Sequence, residues 1–450
     1  MLDRPRRLLY AKILWHVLPF VCFLQVLAFA DRAAIAYAAP NGMNEELNLT
    51  ATAFGLVSGI FFVGYILFEV PSNYLLQKFG TRMWLARIII TWGLVQSLTA
   101  FVPDGFWLNV LRVLLGLAEA GFVPGVMVYL SGWLPGPRRA TAFSIFVMMT
   151  VVASVVGGPA VVALINLGHS LGGFLSGWRF MFLITGILPI IAGLLLFRMM
   201  PESPATARWL NPREKEMVAQ DLAKDLPVKG GHTFRDGLRS PRAWLLGLAY
   251  ISMPFSGYVV TFFLPTILTE LSKSSNAGLD SSQIALLSSI PAIATAVTMI
   301  VVTWTTARFG RLGLHVLIIT LTGATGAAVA FAVHQPVLAL VALCLVQIGS
   351  LASNGLVYSI LPKVLQASAF AAGVALVNSV GNIGGFSGPF VMGSIKDATG
   401  NTDLGFLLIS ALFTITGIII FFVDRSASRV QRPAEPVAVE VATTAGLPKP

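Results

Sequence analysis

Long apolar runs recur along the chain, each closed by glycine, proline or charge. They fall near residues 13–38, 54–77, 83–103, 106–133, 140–166 and 178–199, and again near 243–270, 282–307, 312–333, 336–362, 369–395 and 404–423. A helix needs about 20 residues to cross the apolar part of a bilayer. The pattern therefore predicts an all-α membrane protein with twelve spans in two bundles of six. Between the bundles lies the only long polar interior stretch, 201–241. Within it, Asn211-Pro212-Arg213-Glu214 carries a helix-start signature, with Asn as cap, Pro at the first position and Glu at the third. A short amphipathic helix on the membrane surface is expected there. The chain thus divides into an N-terminal bundle (1–199), a cytoplasmic linker (200–242), a C-terminal bundle (243–425) and a tail (426–450) rich in Pro, Ala and Val and expected to be disordered.

Composition agrees. The 450 residues are 56% hydrophobic and 11% charged, whereas soluble domains carry roughly 25% charge. The net charge of +10 would suit a nucleic-acid partner, but the placement of the basic residues excludes that reading. With both termini cytoplasmic, the cytoplasmic segments hold 25 of the 30 Lys and Arg, as the positive-inside bias requires. The basic balance is topology and contact with lipid headgroups. Arg4, Arg6, Arg7 and Lys12 ahead of the first run imitate a signal peptide, yet that run continues too far and is read as a retained helix. Cys22 and Cys344 both sit in apolar runs, which speaks against a disulfide framework or thiolate metal site.

The halves are related. Lys78-Phe79-Gly80 recurs as Arg308-Phe309-Gly310, and Gly158-Pro159 as Gly388-Pro389, both at an offset of 230 residues. Two matches at one offset argue for a duplicated six-span unit, an architecture of secondary transporters whose site lies between the halves near the midplane.

Charges inside spans are costly, about 2.5–3.5 kcal/mol each on insertion scales, so they mark function or a locked ion pair. They are Asp31 and Arg32 in the first span, Glu69 in the second, and Arg112 and Glu119 in the fourth. Arg112 and Glu119 stand seven residues apart, on one helix face. The small residues Ala118, Ala120, Gly121 and Gly125 beside the glutamate leave room for a neighbouring helix or a ligand. Under the offset, Asp31, Arg32, Arg112 and Glu119 map onto Thr261, Phe262, Ala342 and Gly349. The second half therefore offers neutral polar groups instead, among them Tyr258, Gln347, Ser350, Ser353, Asn354, Tyr358, Asn378 and Asn382. Each of these could equally serve as an interhelical hydrogen bond.

The residue types suggest a mechanism. Arginine keeps its charge and matches a carboxylate with a planar fork. A carboxylic acid taken out of water favours its protonated form and so carries protons. Protonating Glu119 or Asp31 would free an arginine for an anion, and proton and anion would then favour each other's binding. Glu69, nearer the cytoplasmic end, is assigned to gating. Gly157-Gly158-Pro159 and the run from Gly381 to Pro389 are expected to give spans five and eleven places to bend.

At these residues the chain resembles a major facilitator superfamily transporter of the anion:cation symporter family, similar to tartrate, phthalate, hydroxyphenylacetate and galactonate permeases. The matching stretches are Asp31-Arg32, Phe61 to Asn73, Gly80 to Trp92, Arg112 to Tyr129, Pro201 to Pro204, Phe262 to Pro265 and Asn378 to Pro389. The resemblance implies that Asp31 and Glu119 are the protonation sites and that Arg32 faces the substrate carboxylate. It implies that Arg112 works with Glu119, that Tyr65 faces the site, and that Asn378 or Asn382 is a ligand. Tyr258, Ser350 and Asn354 complete the expected substrate set, and Lys78, Arg82 and Arg308 join Glu69 in the expected gates. Two positions depart from the family pattern: Gln77 stands where the loop after span two usually has Asp, and Ala34 where an Asn commonly follows Asp-Arg-x.

The expectation is a monomeric, proton-coupled importer of a small organic-acid anion in the plasma (inner) membrane. The anion would be a sugar acid, a tartrate-like hydroxy acid or an aromatic carboxylate. Proton, anion and lipid are the expected partners, with no cofactor or metal. The alternative is a drug/proton antiporter of the same fold, which would prefer an acidic, aromatic-lined cavity. An enzyme would want histidine or a nucleophile–base pair within the spans. The five histidines, His16, His169, His232, His315 and His334, lie near span ends or in loops.

Overall fold

The computed structural model describes residues 4–173, 175–224, 239–333, 335–364 and 370–430. The first half holds α1 (Arg4–Ala38), α2 (Ala51–Phe79), α3 (Thr81–Leu98), α4 (Gly105–Ser131), α5 (Gly136–Ser170) and α6 (Gly177–Met199). The second holds α7 (Pro241–Ser274), α8 (Ser281–Phe309), α9 (Leu312–Ala332), α10 (Pro336–Val364), α11 (Phe370–Thr399) and α12 (Asp403–Val430). All but α11 are long and apolar enough among the described residues to cross a membrane on hydropathy alone. α11 interrupts its apolar run with Asn378, Ser379, Asn382 and Ser387, and it packs along α2 of the other half. An even number of spans places both ends of the bundle on one face, here called the termini face. α12 is helical to Val430, past the expected edge of the tail at 426, and residues 431–450 lie outside the described residues.

On the termini face a linker helix runs from Pro212 to Ala223. Asn211 accepts from the Glu214 N–H while Glu214 reaches back to the Asn211 N–H, which satisfies two otherwise orphaned donors. The helix docks on the start of α1: Lys12 pairs with Glu214 at 2.9 Å and the Tyr10 hydroxyl donates to Asp221 at 3.0 Å. The two inter-helix loops related by the duplication are held by the same device. Glu202 accepts from the Thr81 and Arg82 N–H groups at the start of α3, and Asp424 accepts from the Gly313 N–H at the start of α9. In both cases a carboxylate meets the positive end of a helix.

The halves are drawn together on the opposite, remote face. Asp397, near the end of α11, accepts from the Ala51 N–H at 3.0 Å and the Thr52 N–H at 2.8 Å, so it caps α2 from across the interface. Ser281 donates to Asn41 at 2.7 Å, Asn166 to Ser282 at 3.2 Å, and Ser289 to the Val155 carbonyl at 2.8 Å. α2 and α11 meet backbone to backbone: a side chain at Gly55, Gly59 or Gly393 would run into the main chain at Pro389, Phe386 or Ala51. Phe54 packs edge-on against Phe263 at 5.4 Å, and deeper in, Phe62 tilts over Tyr258 at 4.4 Å. α5 and α11 are continuous helices through Pro159 and Pro389. Their glycines admit close neighbours, Gly158 the Tyr37 hydroxyl and Gly381 the Tyr250 ring.

Asp397 is the one carboxylate of α11, and as a solvent-exposed cap on α2 its two bonds together contribute about 0.5–2 kcal/mol. Asp397→Ala is expected to shift the remote face toward an open arrangement by about two- to thirtyfold in population. Spin labels at the exposed positions Glu45 and Asn276, with Cys22 and Cys344 replaced by serine, read this as growth of a longer distance in electron–electron resonance. An unchanged distance distribution would show that the glycine contacts alone hold the face shut.

Candidate functional site

The intramembrane charges converge halfway along the first bundle. α4 is broken beside Glu119: a first segment, Gly105–Glu119, ends there, and a second, Phe122–Ser131, begins two residues later. Gly121 turns the chain at φ +87°, a left-handed conformation that glycine adopts without strain. Pro124 falls in the first turn of the second segment, where its missing N–H costs nothing. The break frees the Ala120 carbonyl, and Ser72 of α2 satisfies it with a hydrogen bond of 2.6 Å. Trp84 of α3 in turn donates to the Ser72 hydroxyl at 2.9 Å. Next to the break α2 and α4 touch through their main chains, since a side chain on Gly64 or Gly116 would collide with Val113 or Phe61 backbone.

This framework carries a buried ion pair. Arg32 Nε and Nη2 both donate to Glu119 Oε2, at 2.9 and 2.7 Å. Glu119 is 1% exposed, and its second oxygen has no hydrogen-bond partner. The Arg32 guanidinium lies 5.0 Å from the Phe61 ring centre, 5.2 Å from Tyr65 and 5.7 Å from Phe29. Contacts of that kind contribute about 0.5–2 kcal/mol each when desolvated. Tyr258 of α7 closes the aromatic wall by stacking on Phe262 and packing on Phe62.

Arg112 differs. It is 2% exposed, its Nε donates to the Val57 carbonyl at 3.2 Å, and neither terminal nitrogen has a hydrogen-bond partner among the described residues. Its guanidinium sits 5.3 Å from the same Phe61 ring that Arg32 faces. The expected partnership of Arg112 with Glu119 is therefore taken by Arg32, because the α4 break aims the Glu119 carboxylate toward α1. Asp31 points the other way, as adjacent residues on a helix must. It is 1% exposed inside the first bundle, where Trp92 Nε1 of α3 donates to its Oδ2. Gln96 donates weakly to the Asp31 carbonyl, at 3.5 Å.

The second half contributes unevenly. Asn378 of α11 donates to Glu69 of α2 at 3.4 Å and accepts from the Tyr358 hydroxyl at 3.4 Å, so Glu69 joins the halves directly. Asn354 keeps a buried carbonyl oxygen without a partner, and Asn382 makes no hydrogen bond among the described residues. Ser350 ties α10 to α7: its hydroxyl donates to the Met253 carbonyl at 2.6 Å and lies against Gly257. Of the expected gates, Arg82 donates to the Phe197 carbonyl within its own half, and Arg308 lies over Trp304 and Phe309 of its own helix. Lys78 is exposed beside Phe79. None of these three joins the halves here, because the halves meet on the remote face instead. Phe61, Trp92 and the Gly121 break were not singled out as parts of a site from the sequence. The spacing Gly121-x-x-Pro124 was the available signal for the break.

Comparison with known proteins supplies the family context. The family model described as "Major Facilitator Superfamily" matches residues 21–389 and 248–448. A protein of Agrobacterium vitis named "Putative tartrate transporter" is 37% identical over 92% of this chain and 94% of its own length. "Putative metabolite transport protein NicT" of Pseudomonas putida is 35% identical over 93% of this chain and 94% of its own. A "Quinolone resistance transporter" of Acinetobacter baumannii is 32% identical over 91% and 93%. Among solved structures, a bacterial homolog of the human lysosomal transporter Spinster, inward-facing and unoccupied, superposes with a TM-score of 0.71 over 92% of this chain and 97% of that one, at 20% identity.

Gly121→Ala tests the broken helix. An added carbon would stand 2.3 Å from the Ser72 oxygen in a backbone conformation unfavourable to alanine. A loss of about 2–4 kcal/mol is expected, seen as a lower melting temperature in detergent. An unchanged melting temperature would mean that α4 can run straight through Gly121.

Proposed function

The chain belongs to the major facilitator superfamily and is a multi-pass membrane transporter, not an enzyme, and on that footing we propose that it imports a small organic-acid anion together with protons. The observation that carries this reading is Arg112. A guanidinium held out of water with two unpartnered terminal nitrogens is expensive to keep unless a ligand meets it. A carboxylate is its natural complement, and a second arginine lies across the Phe61 ring.

Arg32 supplies the coupling. While Glu119 is ionised it occupies the Arg32 fork. Protonation cancels that attraction and leaves two guanidiniums beside the Phe61 ring, which an anion would then neutralise. The bound anion in turn favours the protonated glutamate, so each ligand raises the affinity for the other by the same factor. With both termini in the cytoplasm of a plasma (inner) membrane, the remote face is the outer one. The molecule is then closed outside, one of the two states that alternating access requires, and release of the Asp397 cap and the α2–α11 contact would give the other. We assign a single chain as the working unit. The tartrate relatives support a carboxylate, and the wall of Phe29, Phe61, Tyr65 and Tyr258 also suits a flat aromatic acid.

A second reading has its own support. The quinolone-resistance relative and the same aromatic wall fit a drug/proton antiporter. Two buried arginines disfavour a cation, and a quinolone itself carries a carboxylate, so the two readings differ mainly in direction of transport.

In proteoliposomes, Glu119→Gln should abolish uptake driven by a pH gradient while leaving binding or exchange of the anion. Loss of binding as well would make the pair structural. Purified protein is first screened with tartrate, sugar acids, aromatic carboxylates and lipophilic cations. A ligand at 100 times its dissociation constant adds about 2.7 kcal/mol of apparent stability. Stabilisation by one carboxylate class that Arg112→Ala removes supports the importer, whereas stabilisation by cations alone overturns it.

A further inference from the structure

Asp31 is the second buried acid of the first bundle, and its surroundings differ from those of Glu119. It faces away from the aromatic wall, into the seam where α1 meets α3 and α6. We propose that Trp92 is a positioning residue for proton coupling: its indole N–H holds the Asp31 carboxylate in the α1–α3 seam, apart from both arginines. The proposal rests on the reading of this chain as a proton-coupled transporter.

The geometry is built for that purpose. Trp92 is fully buried, and Nε1 is its only polar atom, directed at Asp31 Oδ2. The indole has little freedom to move. Phe122, at the start of the second α4 segment, packs edge-on against it at 5.8 Å. The adjacent Gly93 lies against the Gly186 carbonyl, so α3 and α6 are in main-chain contact one residue from the ring. A buried Trp N–H needs an acceptor, and a buried carboxylate needs donors. Here each is the partner of the other, and a large ring held on two sides fixes where the acid sits.

The groups facing Asp31 are few. α3 brings Trp92 and Gln96, α6 brings Thr185, and α4 brings Arg112 and Glu119 within electrostatic reach. On its own helix Arg32 is engaged by Glu119, and α7 brings Tyr258 toward Arg32, not toward Asp31. α5 carries Arg138, Arg139 and His169 only near its ends. Among the described residues neither arginine makes an ion pair with Asp31; its carboxylate is met by the indole N–H, with the Thr185 hydroxyl also within reach. The indole stabilises the ionised acid and has no comparable hold on the neutral one. Trp92 would thereby set the pH at which Asp31 takes its proton.

The test removes the N–H and keeps the ring. Benzothienylalanine at position 92 has nearly the shape of tryptophan with sulfur in place of N–H, and Trp92→Phe is the simpler second variant. Infrared spectra of the full-length protein are titrated with acid, and the carboxylic C=O band that disappears in Asp31→Asn is assigned to Asp31. In wild type the band should grow in as Asp31 is protonated. In the benzothienyl variant its midpoint should move up by about one pH unit, as loss of one charge-assisted bond requires, and its frequency should rise. Melting temperature checks that each variant is folded. A band with unchanged midpoint and frequency overturns the proposal, and so does the absence of any Asp31-dependent band. The transport reading fails separately: if Asp31→Asn keeps full pH-driven uptake of the identified anion, Asp31 does not couple protons, whatever the infrared shift.

Discussion

A guanidinium and a carboxylate paired out of water constrain most of what surrounds them. Arg32 and Glu119 gain a strong bond only if both are stripped of solvent, and the desolvation cost of each is several kcal/mol. The rest of the bundle is arranged to meet that cost. α4 breaks so that Glu119 can leave its own helix face and reach α1. Ser72 and Trp84 absorb the carbonyl freed by the break. Glycine contacts let α2 approach α4 closely enough to set Phe61 between the two arginines. A pair built this way is stable in one protonation state and weak in the other. Under the proposed function, that dependence on protonation is what would couple the pair to transport.

Much of this was legible before any coordinates. Spans, bundles and the charged positions follow from hydropathy and the cost of burying charge, because those quantities are local to the sequence. Which charge meets which partner is not local. Asp31 and Arg32 are neighbours in sequence yet serve different seams, since one residue step turns a side chain through roughly 100°. The pairing of Arg32 with Glu119 depends on how α1 is rotated and on where α4 breaks. Trp92 was invisible for the same reason: an apolar ring in an apolar span gives no sign that its N–H will find an acid. Ser350 is another case: the sequence shows a polar residue in span ten but not that its hydroxyl donates to the Met253 carbonyl of α7. The Gly-Pro runs of spans five and eleven point both to places where a helix can bend and to close packing of small residues, and only the second depends on neighbours that the sequence does not name. In the structure these helices stay whole, and the small side chains are used for contact.

The duplication now has a physical division of labour. Both halves keep the carboxylate that caps the third helix of the repeat, Glu202 at α3 and Asp424 at α9, so the loop geometry was retained on both sides. The intramembrane charges were retained in one half only. A protonation switch in each half would place four or more ionisable groups around one cavity, each perturbing the others at a Coulomb cost that grows as water is excluded. Confining charge to the first half leaves a single coupled set, Asp31, Arg32, Arg112 and Glu119, with Glu69 at its edge. The second half is then free to move against it at little electrostatic cost, presenting Tyr258, Asn354, Asn378 and Asn382 as neutral groups. The closure of the remote face follows the same logic. Asp397 engages α2 through main-chain N–H groups and not through a cation, so opening breaks two hydrogen bonds that water replaces and strands no buried charge. A rocking machine needs contacts that hold and release with small changes in free energy, and uncharged partners at the moving interface meet that need.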